Sequence, residues 1–277
     1  MPFGIGVGSI RALLKEVESS SRGTSWLAVG GARELAGVLR RELERGAQHG
    51  AVRSGDAPEG AAVLVYVLGR EPDAEDEQAL RRVSRAGVPA VAVVAGPVAE
   101  EVSIPYVLAT DVIRVGAGEG FPLERIATAV AARLGEAGAP LAARVPLLRG
   151  PVCDVLIASF ARKNGLLAAA VFVPGADLPL LTLNQLRLVL RIAQAHGQDV
   201  GRDRLPEVAA TLGAGFGFRT AARELLDLVP VAGWAVKGAV AYAGTRTLGE
   251  AAVRRFEVGA GNGDGDGPSP SPTPPPA

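Results

Sequence analysis

The residues best suited to hold a phosphate stand together in the turn Gly30-Gly31-Ala32-Arg33. A short apolar run precedes this turn and a helical pattern follows it. In α/β domains this arrangement places backbone N–H groups and a helix N-terminus against an anion. Gly30, Gly31 and Arg33 are therefore the candidate cofactor-binding residues. A working P-loop also needs a Lys for the outer phosphates and a Ser or Thr for magnesium. This turn has neither, so we predict no bound nucleotide cofactor.

Other side chains that could do chemistry are isolated along the chain. Cys153 is the single cysteine, which excludes an intrachain disulfide and indicates a reducing compartment. With only His49 and His196 beside it, zinc-ligand spacing is absent. We therefore predict no metal site, no catalytic residues and no enzymatic activity. Lys plus Arg and Asp plus Glu both number 29, so no overall charge favours nucleic acid as a partner.

Short apolar runs alternate with helical patterns between residues 24 and 138. Strands or extended segments are predicted at Trp26–Val29, Ala61–Leu68, Pro89–Ala95, Ile104–Leu108 and Val112–Val115. Helices are predicted at Ala32–Arg45, from the cap Asp73 to Ala86, and at Pro122–Leu134. Repeated β-α-β units predict an α/β fold with a small, doubly wound, mostly parallel sheet.

From about Pro146 the pattern is helical only, so the predicted fold class is α/β plus all-α. Helices are predicted at Val152–Val173, at Thr182–His196 with a Thr182/Gln185 capping box and a stop at Gly197, at Leu205–Leu212, at Thr220–Leu228, and at Trp234–Phe256. The predicted linker between the halves is Gly135–Arg149. The predicted organisation is an N-terminal arm at 1–23, an α/β domain at 24–138, a helical domain at 144–258, and a disordered Gly/Pro-rich tail at 259–277.

The segment from Asn164 to Leu186 contains one charged residue, Asp177, which we assign to capping the next turn. A spanning helix needs about 20 apolar residues, but Pro174, Gly175 and Pro179 divide this run and predict a helical hairpin. The hairpin is either the core of a bundle or a wedge in one membrane leaflet. The candidate membrane or partner contacts are Leu166, Leu167, Val171, Phe172, Val173, Leu180, Leu181, Trp234 and Lys237. In the final helix, small residues on the side of Gly233, Lys237, Ala241 and Thr245 permit close helix packing.

Two segments carry a resemblance to GTPase domains: AAVLVYVLGREPDAEDEQALRRVSRAGVPAVAVVAGP at residues 61–97, and VIRVGAGEGFPLERIATAVAARLG at residues 112–135. They resemble the later half of an Era-like GTPase domain. Ala95-Gly96-Pro97-Val98 stands where that family has its guanine-binding Asn-Lys-x-Asp. No Asp-x-x-Gly precedes Ala61, and the span from Arg45 to Ala61 is too short for both switch loops. The resemblance therefore implies a degenerate, pseudo-GTPase domain.

Residues 144–258 resemble a bacterial helical domain of unknown function, family six hundred and ninety-seven, which often follows GTPase domains. The likeness lies in FARKNGLLAAAVFVPGADLPLLTLNQLRLVLRIAQAHG and RELLDLVPVAGWAVKGAVAYAGTRTLGEAAVRRFE. It implies association with a membrane or with membrane-located GTPases, without known catalytic residues.

These observations predict a non-catalytic, membrane-associated or GTPase-associated adaptor with a pseudo-GTPase domain. Its expected partners are membrane lipids or a membrane-located GTPase. One alternative is a small-ligand or nucleotide-binding enzyme that uses the Gly30-Gly31 turn, and another is a soluble scaffold that forms homo-oligomers through the C-terminal helices. Met1–Ile10 shows no signal peptide. The expected location is the cytoplasm, at the inner face of the cell membrane if the hairpin contacts lipid.

Overall fold

A computed structural model describes residues 25–55, 59–96, 103–116, 118–170, 178–198 and 233–261, with isolated positions 15 and 99. The strands are β1 Leu27–Gly31, β2 Val52–Ser54, β3 Val63–Leu68, β4 Ala90–Val94 and β5 Val112–Arg114. The helices are α1 Arg33–Glu44, α2 Ala74–Arg85, α3 Leu123–Leu134, α4 Ala139–Arg144, α5 Arg149–Ala170, α6 Leu178–Ala195 and α7 Gly233–Gly261. Short 3-10 turns lie at Ala109–Asp111, Gly135–Gly138 and Pro146–Leu148.

The five strands form one parallel sheet in the order β2-β1-β3-β4-β5. The central strand β3 is buried along its whole length, because helices cover both faces of a parallel sheet. Its Val65 is in register with Val29 of β1 and Val91 of β4. Only helices follow this sheet in the part of the chain that the structure describes, which confirms the predicted α/β plus all-α fold class.

Alternate residues of each strand enter two separate cores. Leu27, Val65 and Val93 belong to the larger core, which includes α1, α3 and the later helices. Ala28 and Tyr66 belong to the smaller core, which packs on α2. Successive side chains of a pleated strand point to opposite faces of the sheet, so this alternation between the two cores is expected. The sheet is thus covered by one helix layer on one face and by a much thicker helical assembly on the other.

The last three helices of the described residues, α5, α6 and α7, form a bundle. Ile157 of α5 lies against Gly249 of α7, whereas Gly165 lies against Gly238, so these two helices run antiparallel. Asn164 of α5 hydrogen-bonds Asn184 of α6, which brings the end of α5 to the beginning of α6. The predicted hairpin helices therefore pack together, although residues 171–177 between them lie outside the described residues.

The predicted linker is structured and buried. Residues 135–148 form two 3-10 turns and α4, and Leu141, Ala142 and Val145 have almost no exposed surface. Gln48 donates its backbone N–H to the carbonyl of Arg144 at 2.7 Å, which ties α4 to the α/β region. The larger core is continuous from the sheet through this segment to the bundle. The described halves therefore share one core across the predicted boundary.

Two local predictions are wrong. Ile104–Leu108 is not a strand: Tyr106 has a φ of 62°, and Pro105 before it has no N–H for a strand ladder. Thr182 does not cap a helix, because α6 begins at Leu178 and includes both Thr182 and Gln185. The helix cap at Asp73 is confirmed, and so is the helix end before Gly197, which has a φ of 72°. The arm 1–23, the helices at 205–212 and 220–228, and residues 262–277 of the tail lie outside the described residues.

Candidate functional site

A glycine stands at or just beyond the carboxyl end of every strand. The five are Gly31, Gly55, Gly69, Gly96 and Gly116. Because the strands are parallel, all five lie on one edge of the sheet, which we call the glycine rim. Ligands of doubly wound sheets bind at this edge where the strand order reverses. In the order β2-β1-β3-β4-β5 that point lies between β1 and β3, beside the predicted Gly30-Gly31 turn.

Neighbouring backbone fills the rim beside these glycines. A Cβ on Gly31, whose φ is 97°, would lie 2.1 Å from the Val67 carbonyl oxygen. A Cβ on Gly96 would lie 2.1 Å from the carbonyl oxygen of Gly69. The N–H of Ala32 donates to the Val67 carbonyl at 2.8 Å, so it belongs to the sheet and does not face an anion. These glycines allow adjacent loops to touch, which is a structural role.

The charges beside the switch point are mainly carboxylates. Arg70 in the loop after β3 bonds Asp73 and Asp76, each at 2.7 Å. Burial and the hydrogen bond to Asp76 raise the pKa of the Tyr66 phenol, which donates to Asp76 at 2.7 Å. This cluster holds the start of α2 against the sheet. Arg33 is exposed on the first turn of α1 next to the exposed Glu34. The edge therefore offers a polyphosphate little net attraction.

The isolated reactive side chains remain apart in the fold. Cys153 is buried in the larger core, and burial raises the pKa of its thiol to about 12. The His196 ring lies against Phe256, with centroids 5.9 Å apart, and its Nδ1 is 2.9 Å from the Ile192 carbonyl oxygen. Within the described part of the chain, no three His, Cys, Asp or Glu side chains are grouped to hold a metal ion.

A layer of polar side chains crosses the interior of the bundle. Asn164 and Thr245 are fully buried, and the Asn164 Nδ2 donates to the Thr245 Oγ1 at 2.9 Å. The Asn184 Nδ2 donates to the Asn164 Oδ1 at 2.9 Å, and the Gln185 Nε2 donates to the Thr245 Oγ1 at 3.3 Å. We call these four residues the polar layer. Buried polar groups are retained where they are mutually satisfied, and this layer fixes the register of three helices.

The end of the bundle beyond the polar layer, away from the sheet, is almost uncharged. We define this tip as residues 165–170 of α5, 178–183 of α6 and 233–244 of α7; its single charged residue is Lys237. Leu166, Leu180 and Val240 of the tip are 73%, 52% and 36% exposed. They make up three of the seven exposed large hydrophobic side chains in the described residues, although the tip is a small part of the chain. The described residues at this end of the bundle thus present an apolar surface.

Close backbone packing draws α5 and α7 together at the tip. A Cβ on Gly238 would lie 3.0 Å from the Gly165 carbonyl oxygen, and one on Gly165 would lie 3.2 Å from Tyr242 Cβ. An open groove beside this contact is lined by Arg162, Gly165, Leu166, Gly238, Ala239 and Tyr242. Small residues of α7 therefore serve packing within the chain. The side buried against α5 and α6 contains Gly238, Thr245, Gly249 and Ala252; Lys237 and Ala241 of the predicted stripe are half-buried.

The predicted contact residues differ in where the structure places them. Leu166 and Leu180 are exposed on the tip, and Leu167, Leu181 and Lys237 are half-buried there. Trp234 lies in the first turn of α7, whereas Val171, Phe172 and Val173 lie outside the described residues. The sequence interpretation missed the polar layer and the Gly165–Gly238 contact. Polar residues within otherwise apolar helical stretches were the available signal for the layer.

Comparison with protein-family models, curated proteins and solved structures finds no match to this chain. Among the described residues, every helix is too short or too polar to cross a bilayer.

Proposed function

We propose that this protein is a non-catalytic adaptor that docks on a membrane surface through the tip of its helical bundle. The observation that carries the proposal is the combination of exposed leucines with a single charged residue, Lys237, among the residues defined as the tip. Soluble proteins seldom expose contiguous apolar surface unless it binds a membrane or a partner.

The dimensions of the tip suit one leaflet. At 1.5 Å per residue, the tip segment of α7 is about 18 Å long and that of α5 about 9 Å. One leaflet supplies about 15 Å of hydrocarbon. Lys237 has a long apolar stem that can carry its ammonium group back towards the headgroups. Shallow insertion of the tip into one leaflet is therefore compatible with the lengths of its helix segments and with Lys237 as its one charged residue.

The α/β region is proposed to act as a scaffold without nucleotide. The packed glycine rim and the carboxylates beside Arg70 support this part, as does the lack of a P-loop Lys. A thermal-shift measurement with GTP and magnesium tests it. Saturation at a hundredfold excess over Kd would stabilise the chain by about 2.7 kcal/mol. We expect no shift in Tm, and a shift of several degrees would overturn the pseudo-GTPase proposal and favour a nucleotide-binding enzyme.

Vesicle flotation of the full chain tests membrane docking. We expect the wild type to float with phospholipid vesicles. The double variant Leu166→Glu, Leu180→Glu should bind the vesicles at least about tenfold more weakly, because it removes two exposed apolar side chains from the tip. The matched control is Val38→Glu, Leu108→Glu, which changes two exposed apolar residues outside the tip. Equal loss in both variants, or no flotation of the wild type, would contradict the proposal. A mass measurement in solution that shows a tip-dependent oligomer would favour the scaffold alternative instead.

A further inference from the structure

We infer that the open groove between α5 and α7 binds a single-chain anionic amphiphile, such as a fatty-acid carboxylate. The alkyl chain lies along the groove beside its two glycines, and the carboxylate pairs with Arg162 at one end. This inference goes beyond membrane docking of the tip, because it concerns one ligand molecule bound to the chain. It does not depend on that docking.

Two glycines create the groove. A Cβ on Gly238 would lie 3.0 Å from the Gly165 carbonyl oxygen and 3.2 Å from the Ala169 Cβ, so the two helices touch through backbone at this point. No side chain projects from either glycine, and the space beside the contact stays open. The groove has a volume of about 370 Å³. Small-molecule sites range from about 300 to 1,000 Å³, so the groove has room for a ligand of that class.

The lining of the groove is mainly apolar. Arg162 and Tyr242 are the lining residues with polar side chains, whereas Lys237, the one charged residue of the tip, does not line it. Leu166 lines the groove and is 73% exposed, so a bound alkyl chain would cover apolar surface that water now contacts. Each methylene group removed from water strengthens binding about fourfold. Contact with the alkyl chain is therefore the main source of the expected affinity.

Arg162 provides a cation at the end of the groove nearer the sheet. Its Nε donates to the Ala158 carbonyl at 3.2 Å, one turn farther from the tip. The side chain is exposed, and no other described residue forms an ion pair with it. The terminal nitrogens of its guanidinium are therefore open to a ligand. A guanidinium binds a carboxylate through two parallel hydrogen bonds, which suits a carboxylate head group.

The neighbouring cations already have partners within the chain. Lys163 is paired with Glu136, and Arg246 is paired with Glu250 at 2.8 Å and hydrogen-bonded to Tyr242. The groove thus offers one open guanidinium at one end and apolar surface towards the tip. A ligand with one anionic end and one alkyl chain matches this arrangement, whereas a polyphosphate would bring several charges to a single cation.

The experiment measures binding of decanoate and of decyltrimethylammonium to the full chain by isothermal titration calorimetry, below the concentrations at which they form micelles. The two probes have similar alkyl chains and opposite head charges. Ala239→Trp fills the groove, and its control is Ala251→Trp at an exposed position of α7 outside the tip. Arg162→Gln removes the cation, and its control is Arg82→Gln at an exposed position of α2. Circular dichroism of every variant checks that the fold is retained.

We expect saturable binding of decanoate by the wild type and weaker binding of decyltrimethylammonium. Arg162→Gln should weaken decanoate binding about threefold, the size of an exposed ion pair, without weakening binding of the cationic probe. Ala239→Trp should weaken binding of both probes at least about tenfold, because lost contact with two methylene groups is enough for that effect. Both control variants should bind as the wild type does.

Three results would overturn the inference: no saturable binding of decanoate, equal binding of the two probes by the wild type, or a test variant that binds like its control. Vesicle flotation of the wild type is a separate measurement. If the chain floats with vesicles but does not bind decanoate, the groove site is wrong and membrane docking stands. If it binds decanoate but does not float, membrane docking is wrong and the groove site stands.

Discussion

The glycine rim of the sheet and the tip of the helical bundle both depend on glycines, and the two regions use them in opposite ways. At the rim, Gly31, Gly69 and Gly96 let adjacent loops fill the edge with backbone, and the nearby charges pair among themselves. At the tip, Gly165 and Gly238 bring two helices together, and the large side chains beside them remain exposed. A glycine-rich edge is therefore not by itself a sign of a ligand site, whereas the exposed leucines and single charged residue of the tip are the basis of the proposed docking surface.

The largest expected effect tests whether the rim is filled by backbone. Gly31→Ala should lower the free energy of unfolding by about 5 kcal/mol or more, because its Cβ would collide with the Val67 carbonyl that pairs β1 with β3. Urea denaturation measures this loss. The control is Gly46→Ala, with a φ of 75° and open space around the Cβ, which should cost only about 1–2 kcal/mol. If Gly31→Ala and Gly46→Ala lower the free energy of unfolding equally, the rim has room for a ligand.

A second prediction tests whether the two regions share one core. Phe160→Ala removes a buried ring of the larger core and should cost about 4 kcal/mol. In a Trp234→Phe background, Trp26 fluorescence reports on the sheet and circular dichroism reports mainly on the helices. The two unfolding curves should coincide before and after the Phe160 change. Separate transitions would show that rim and tip belong to independently stable units.

A third prediction concerns the polar layer that bounds the tip. Asn164→Ala should cost about 2 kcal/mol, because Asn184 and Thr245 lose hydrogen-bond partners in a buried site. Thr247→Ala, an exposed position on α7 close to Thr245, serves as control and should change the unfolding free energy by less than about 0.5 kcal/mol. A double-mutant cycle with Thr245→Val isolates the pairwise contribution. If the Asn164 and Thr245 substitutions change the unfolding free energy independently, the two side chains do not interact and the polar layer is contradicted.

The smallest expected effect lies at the junction between the two regions. Lys163 and Ser159 donate hydrogen bonds to Glu136; burial alone would raise the pKa of Glu136, but these bonds outweigh it and lower that pKa. A lowered pKa in the folded state stabilises the fold above the ordinary value of 4.5, and this stabilisation is lost as pH falls through the folded pKa.

Glu136→Gln should therefore cost about 1 kcal/mol at neutral pH, and its difference from wild type should shrink below pH 4.5. Urea denaturation across a pH series measures this, with the exposed Glu124→Gln in α3 as control. A difference that persists unchanged at acid pH would exclude the charge of Glu136 as its cause.

Local patterns in the sequence were sufficient for most elements of the fold. The apolar run at Ala61–Leu68 became a fully buried strand, and Asp73 capped the following helix, because each depends on neighbours in the chain. The short edge strand β2 escaped prediction since Arg53 and Ser54 give it no apolar pattern. The turn at Tyr106 escaped prediction because the apolar pattern of Ile104–Leu108 does not indicate a φ of 62° at that residue.

The sequence by itself determined four of the five strands, the absence of a P-loop Lys and the low charge of the hairpin, because these are properties of adjacent residues. Only the tertiary structure decided that the glycines of separate loops close the rim, and that Asn164 meets Thr245 across 81 residues to bound an apolar tip. The closed rim depends on the order of the strands in the sheet, and the Asn164–Thr245 contact depends on the direction of the helices. Packing of the shared core selects this arrangement, and the spacing of neighbouring residues does not encode it.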